Sequence, residues 1–113
     1  MSNSKVNFSS ETKGDWIIWT ISGSVDMTTA AETEKKGREI VENNSKVALD
    51  MSQLEYISSA GLRVLLILTQ MAEDEEKEFA ICGAKGDVKD VLEDSGMDVL
   101  LNLNDSLSDV VGG

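Results

Sequence analysis

The sequence predicts an α/β domain on a mixed, mostly parallel sheet of four to five strands. Short β-branched or aromatic runs alternate with longer helical runs, which implies parallel crossover units. Lys13-Gly14 has the composition of a tight turn, so the first two strands should pair as an antiparallel hairpin. The run KVALDM, from Lys46 to Met51, is apolar almost throughout, as suits a strand covered on both faces. At 113 residues the chain is long enough for one domain and too short for two, so residues 1–113 are read as a single domain.

A weak first strand is expected from Val6 to Ser10. DWIIWTISGSVD follows as a strong strand, with Ile17, Trp19 and Ile21 on one face, Trp16 and Ile18 on the other, and Gly23 closing it. MTTAAETEKKGREIVENN reads as a helix capped by Thr28 or Thr29, with Glu32 placed to complete a capping box. Its inward stripe is Ala30, Thr33, Gly37, Ile40 and Val41. A mid-helix glycine is about 1 kcal/mol worse than alanine, so Gly37 signals close packing on the sheet.

After KVALDM, a helix from about Ser59 to Glu73 is apolar around much of its circumference and therefore largely buried. EFAICGA is the next strand, and GDVKDVLEDSG a short helix with Asp87 near its start and Gly96 as its stop. DVLLNL is expected as a last short strand, and DSLSDVV as a terminal helix.

Hydrophobic residues make up 41% and charged residues 27%, an ordinary globular balance. Acids outnumber bases 21 to 10, for a net charge of −11, so nucleic acid and anionic lipid surfaces would be repelled. From Glu73 onward the count is 12 to 3, which serves solubility and leaves steering toward a basic protein partner open. Cys82 is the lone cysteine, so no internal disulfide forms and a reducing, cytoplasmic home is the simplest. In EFAICGA it reads as a small core residue. The start, MSNSKVNFSS, lacks an apolar signal core, and no apolar run is long enough to span a bilayer, so membrane insertion is not expected. No histidine is present, which excludes a Ser-His-Asp triad and imidazole metal sites. No cofactor is expected.

YISSAGLRVLL, from Tyr56 to Leu66, sets two serines and a glycine before the buried helix. Ser58 or Ser59 would cap that helix, and one cap needs only one hydroxyl. A nucleophilic serine is disfavoured, because SSAGL lacks the G-x-S-x-G elbow and no lysine adjoins it.

The segment LDMSQLEYISSAGLRVLL, with Asp50, Ser52, Leu54, Tyr56, Ile57, Ser58, Ser59, Ala60, Gly61, Leu62 and Val64 to Leu66, resembles the signature of the anti-sigma factor antagonist family, the STAS domains. Gly23, Val25 and Asp26 in SGSVDMTTA, and Val88, Val91, Leu92, Ser95, Gly96 and Met97 later, are similar to flanking motifs of that family. The resemblance implies a STAS-like fold with helices mainly on one face. It also implies a bacterial, cytoplasmic regulatory module that is no enzyme.

By that resemblance the unmodified form sequesters an anti-sigma factor that is also a serine kinase, and so frees a sigma factor. Phosphorylation releases the partner, and a serine phosphatase resets the switch. Aligned on Gly61, the acceptor is Ser59 with Ser58 second; Ser58 stands where many members carry aspartate, and Ala60 where many carry Ser or Thr. Asp26, Met27, Thr28, Ser58, Ser59, Ala60, Gly61 and Arg63 form the expected partner surface, on a monomer or weak dimer. Arg63, one turn beyond Ser59, has two roles open, pairing with a phosphate or solvating an apolar helix. Asp26 also has two, positioning the kinase's Mg·ATP or the serine hydroxyl, or capping the first helix. A non-switching STAS scaffold or a transporter-associated STAS subunit is the alternative reading.

Overall fold

The expected hairpin forms and is longer than its sequence pattern indicated. In the computed structural model, which describes residues 6–112, β1 (Val6–Lys13) pairs antiparallel with β2 (Trp16–Val25), from Val6 opposite Gly23 to Lys13 opposite Trp16. Gly14 turns the corner at φ +61°, a conformation glycine adopts without steric penalty. The rest of the sheet is parallel. β3 (Lys46–Asp50) pairs with β2, β5 (Glu78–Cys82) with β3, and β6 (Leu103–Asn104) with β5, in the order β1-β2-β3-β5-β6. KVALDM thus supplies the central strand, and Val47, Ala48 and Leu49 are all buried.

Alternation along these strands makes two faces. Trp19, Ile21, Val47, Leu49, Phe79 and Ile81 share one core with three helices, α1 (Ala30–Asn43), α2 (Ser59–Asp74) and α3 (Gly86–Asp94). They meet Val41 of α1, Leu65 and Leu68 of α2, and Leu92 of α3. Ile18, Ala48, Ala80 and Cys82 are buried on the opposite face. The short α5 (Leu107–Val111) packs on β3, β5 and β6, and none of its apolar residues joins the main core. The helices therefore lie mainly on one face.

The stripe expected on α1 is the buried one, with Thr33, Gly37, Ile40 and Val41 inside and Ala30 packed at its edge. A Cβ on Gly37 would stand 2.4 Å from Leu68 Cδ1 and 2.9 Å from Trp19 Cη2. The missing side chain thus lets α1 settle on α2 and β2 together. The carboxyl end of α1 carries no basic residue of its own. Lys77 supplies the charge from the turn after α2, its Nζ donating to the carbonyls of Val41 at 2.6 Å and Glu42 at 2.9 Å.

Two elements differ from the sequence reading. The sheet has six strands rather than four to five, because Leu54–Ile57 forms β4 beside the far half of β2. Only Leu54 and Ile57 are buried there, a spacing of three that hides the strand period, and the pairing register shifts between Gly23 and Ser24. DVLLNL is not one strand. Gly96, at φ +78°, starts a helical turn, α4 (Met97–Leu100), before β6. Among the described residues only Ile81 and Cys82 of β5 pair with β6, so apart from the Asn102 carbonyl, which accepts from the Ile81 N–H at 2.9 Å, the run before β6 gains nothing from the ladder.

Leu68 is fully buried between α1 and the sheet, so Leu68→Ala is expected to destabilise the domain by about 2–5 kcal/mol in urea titrations followed by circular dichroism.

Candidate functional site

The end of β2 and the start of α2 are joined at Val25. The Ser58 N–H donates to the Val25 carbonyl at 2.9 Å, carrying the β2–β4 ladder one residue past the Val25–Ile57 pair. A Cβ on Gly61 would meet Ile57 Cγ1 at 2.6 Å, Val25 Cγ1 at 2.9 Å and the Val25 carbonyl oxygen at 3.0 Å. Only glycine lets the first turn of α2 come this close. The segment leaving β2 at Asp26 and the helix beginning at Ser59 are therefore neighbours.

Ser59 occupies the first position of α2 and is exposed. Ala60 is half-buried, Gly61 buried, and Arg63 exposed. Neither serine caps the helix. Ser58 holds the N-cap position but makes no side-chain cap bond, and its Oγ is buried without a hydrogen-bond partner. The bond to Val25 fixes Ser58 as the end of a strand, and its hydroxyl is turned into the protein. The first N–H groups of α2 have no partner within the helix, and its first turn holds no acidic residue. Those N–H groups and the helix dipole leave a positive end free to receive an anion. Arg63 adds a formal charge one turn along, and it makes no ion pair among the described residues.

The loop after β2 is rigidly tied. Asp26 Oδ1 accepts from the Thr28 N–H at 2.8 Å and the Thr28 hydroxyl at 2.6 Å. The Thr29 hydroxyl accepts from the Asp26 N–H at 2.9 Å and donates to the Ser24 carbonyl at 2.9 Å. Thr29 is the N-cap residue of α1, yet with its hydroxyl so engaged neither a side-chain cap nor the expected box with Glu32 forms. Of Asp26's two open roles, its carboxylate binds the turn that leads into the helix. It leaves Met27 projecting, 77% exposed.

Tyr56 on β4 is 50% exposed on the same ladder, opposite Ser24. Tyr56 belongs to the signature but was not among the expected surface residues; β4 pairs with β2 off the main strand path and leaves this ring exposed. Asp50, at the end of β3, accepts from the Ser52 N–H at 2.9 Å and so closes its own turn. Burial raises the Cys82 thiol to a pKa of about 11, with the charges of Asp50 and then Asp109 adding to the effect. The buried thiol is the core residue its strand position indicated.

The comparisons with known proteins fall on this fold. A family model for the STAS domain matches residues 7–110. The chain belongs to the STAS domain family. It is 33% identical over 81 residues to BtrV of Bordetella bronchiseptica, which is named as an anti-sigma factor antagonist; the match spans 71% of this chain and 70% of BtrV. The crystal structure of an anti-sigma factor antagonist from Mycobacterium paratuberculosis has a TM-score of 0.79 at 23% identity, over 93% of this chain and 90% of that one. The Bacillus cell-fate determinant SpoIIAA in its phosphorylated form has a TM-score of 0.68 at 13% identity, over 91% and 94%. At those identities the structural likenesses establish the STAS fold. Among the described residues, no helix is long and apolar enough to cross a membrane, and no cluster of acids or cysteine could hold a metal ion.

Two outcomes follow for this STAS domain. Gly61→Ala is expected to push the first turn of α2 off Val25 and Ile57, lowering stability by about 1–3 kcal/mol in urea titrations. The raised thiol pKa stabilises the fold fully below the unfolded value of 9.0, and this contribution is lost as pH rises toward about 11. Urea midpoints of the native chain should therefore fall over that window, and in Cys82→Ala this part of the fall should be absent.

Proposed function

We propose that this STAS domain is an anti-sigma factor antagonist switched by phosphorylation at Ser59. In its unmodified form it holds an anti-sigma factor that is also a serine kinase, and a sigma factor is thereby freed. The kinase transfers the γ-phosphoryl group of ATP to the Ser59 hydroxyl, leaving ADP and a proton. A serine phosphatase then hydrolyses the ester and restores the hydroxyl. The domain itself, taken as residues 1–113, is a binding module of the cytoplasm and no catalyst.

The observation that carries this reading is the uncapped start of α2. An exposed serine stands at its first position, and the neighbouring hydroxyl leaves the helix N–H groups free. A phosphate would add about −1.5 to −2 charges there. The dipole end and Arg63 favour those charges, so the fold tolerates them. A partner fitted to a neutral hydroxyl does not. Met27, Thr28 and Tyr56, all exposed beside the helix start, extend the docking surface around Ser59. The curated relative BtrV carries the same family role in its name, and SpoIIAA is a fold neighbour found in a phosphorylated form.

Ser58 is the less suitable acceptor, since its Oγ is buried and would have to leave the protein to react. Ser59→Ala is expected to keep the kinase bound, and Ser59→Asp to weaken binding by about 100-fold, or roughly 2.7 kcal/mol. Titration calorimetry with the kinase recovered on Ser59→Ala bait measures this; equal affinities would sink the switch. Intact mass after incubation with that kinase and ATP should rise by one phosphate in the native chain and not in Ser59→Ala. No uptake would favour a non-switching scaffold.

A further inference from the structure

Exposed large hydrophobic residues fall into two groups among the described residues. Met27 and Tyr56 lie on the loop after β2 and on β4, the elements that lead to the Ser59 helix start; Val99 and Leu100, 83% and 55% exposed, stand on α4, which leads into β6 at the end of the strand order opposite β1. Beside α4 a cleft of about 160 Å³ opens between α3 and β6. Its floor is apolar, made by Ala84, Leu92 and Leu103, and its rim carries the carboxylates of Glu93, Asp98 and Asp105.

We infer that this cleft receives a lysine or arginine side chain of a basic partner polypeptide, with Val99 and Leu100 as the apolar flank of the same docking surface. Size decides against a cofactor. A cavity of about 150 Å³ holds a single benzene ring, whereas small-molecule sites run to about 300–1,000 Å³. Chemistry decides the rest. A long basic side chain lays its methylene stem on apolar surface and keeps its charged head among carboxylates. None of the three rim carboxylates makes an ion pair among the described residues, and Lys89, one turn before Glu93 and also lining the cleft, is not bonded to it.

From Asp87 to Asp109 seven acids face Lys89 alone, so a second copy of this chain, a nucleic acid or an anionic membrane would be repelled here. A metal ion is not the occupant, since no cluster with the required spacing exists among the described residues. The cleft shares no lining residue with the surface around Ser59, so binding there is expected to be independent of Ser59 phosphorylation.

The test is a titration of the isotope-labelled full chain, followed by amide chemical shifts, with a helical leucine–arginine peptide and its leucine–glutamate counterpart. The arginine peptide should shift Ala84, Glu93, Val99, Leu100 and Leu103 most, and the glutamate peptide should shift nothing. Glu93→Gln with Asp98→Asn should weaken binding about tenfold, as loss of two exposed ion pairs allows. Val99→Ser with Leu100→Ser should also weaken it, while Ser59→Asp leaves it unchanged. Circular dichroism checks that each variant is folded. Four results would each overturn the inference: no binding of the arginine peptide, shifts centred on Met27 and Ser59, affinity indifferent to the cleft variants, or the same shifts arising from self-association without peptide.

Discussion

The approach of the first turn of α2 to the end of β2 is the constraint on which the site depends. It rests on the Ser58–Val25 hydrogen bond and on the absence of a side chain at Gly61. Together they carry strand geometry up to the residue before the helix. A normal cap would require the Ser58 hydroxyl to face the helix N–H groups, and the ladder turns it away. Forgoing a cap sacrifices about 1 kcal/mol. Burial of Leu62, Leu65 and Leu68, at about 1.5–3 kcal/mol each, exceeds that several-fold, so α2 forms regardless.

The same constraint separates folding from regulation. Because α2 is anchored by its apolar side and by Val25, its exposed mouth can change charge without any core contact changing. Asp26 and Thr29 hold the adjacent loop by hydrogen bonds of their own, so Met27 is presented on a rigid support. A charge placed among these groups alters what can dock there far more than what holds the domain together.

Charge also divides the molecule. Before Glu73 acids and bases are nearly balanced, 9 to 7, and the helix mouth carries Arg63 with no acid in the first turn. The α3 to α5 region is strongly acidic. The two exposed apolar groups lie one in each half. A docking macromolecule thus meets two surfaces of different electrostatic character.

Local pattern was enough for the hairpin, the central strand, the inward stripe of α1 and the family signature around Ser59. Each is written in local periodicity or in contiguous residue types, which fix short-range geometry. Tertiary structure decided the rest. Whether a serine at a helix start becomes its cap depends on what its own N–H has already bonded, and Val25 lies over thirty residues away in the chain. β4 exists because β2 offers an unpaired length beyond β3, and DVLLNL splits because β5 offers β6 so little. Pairing partners distant in sequence leave no mark on local pattern, so these choices appear only when the sheet is assembled.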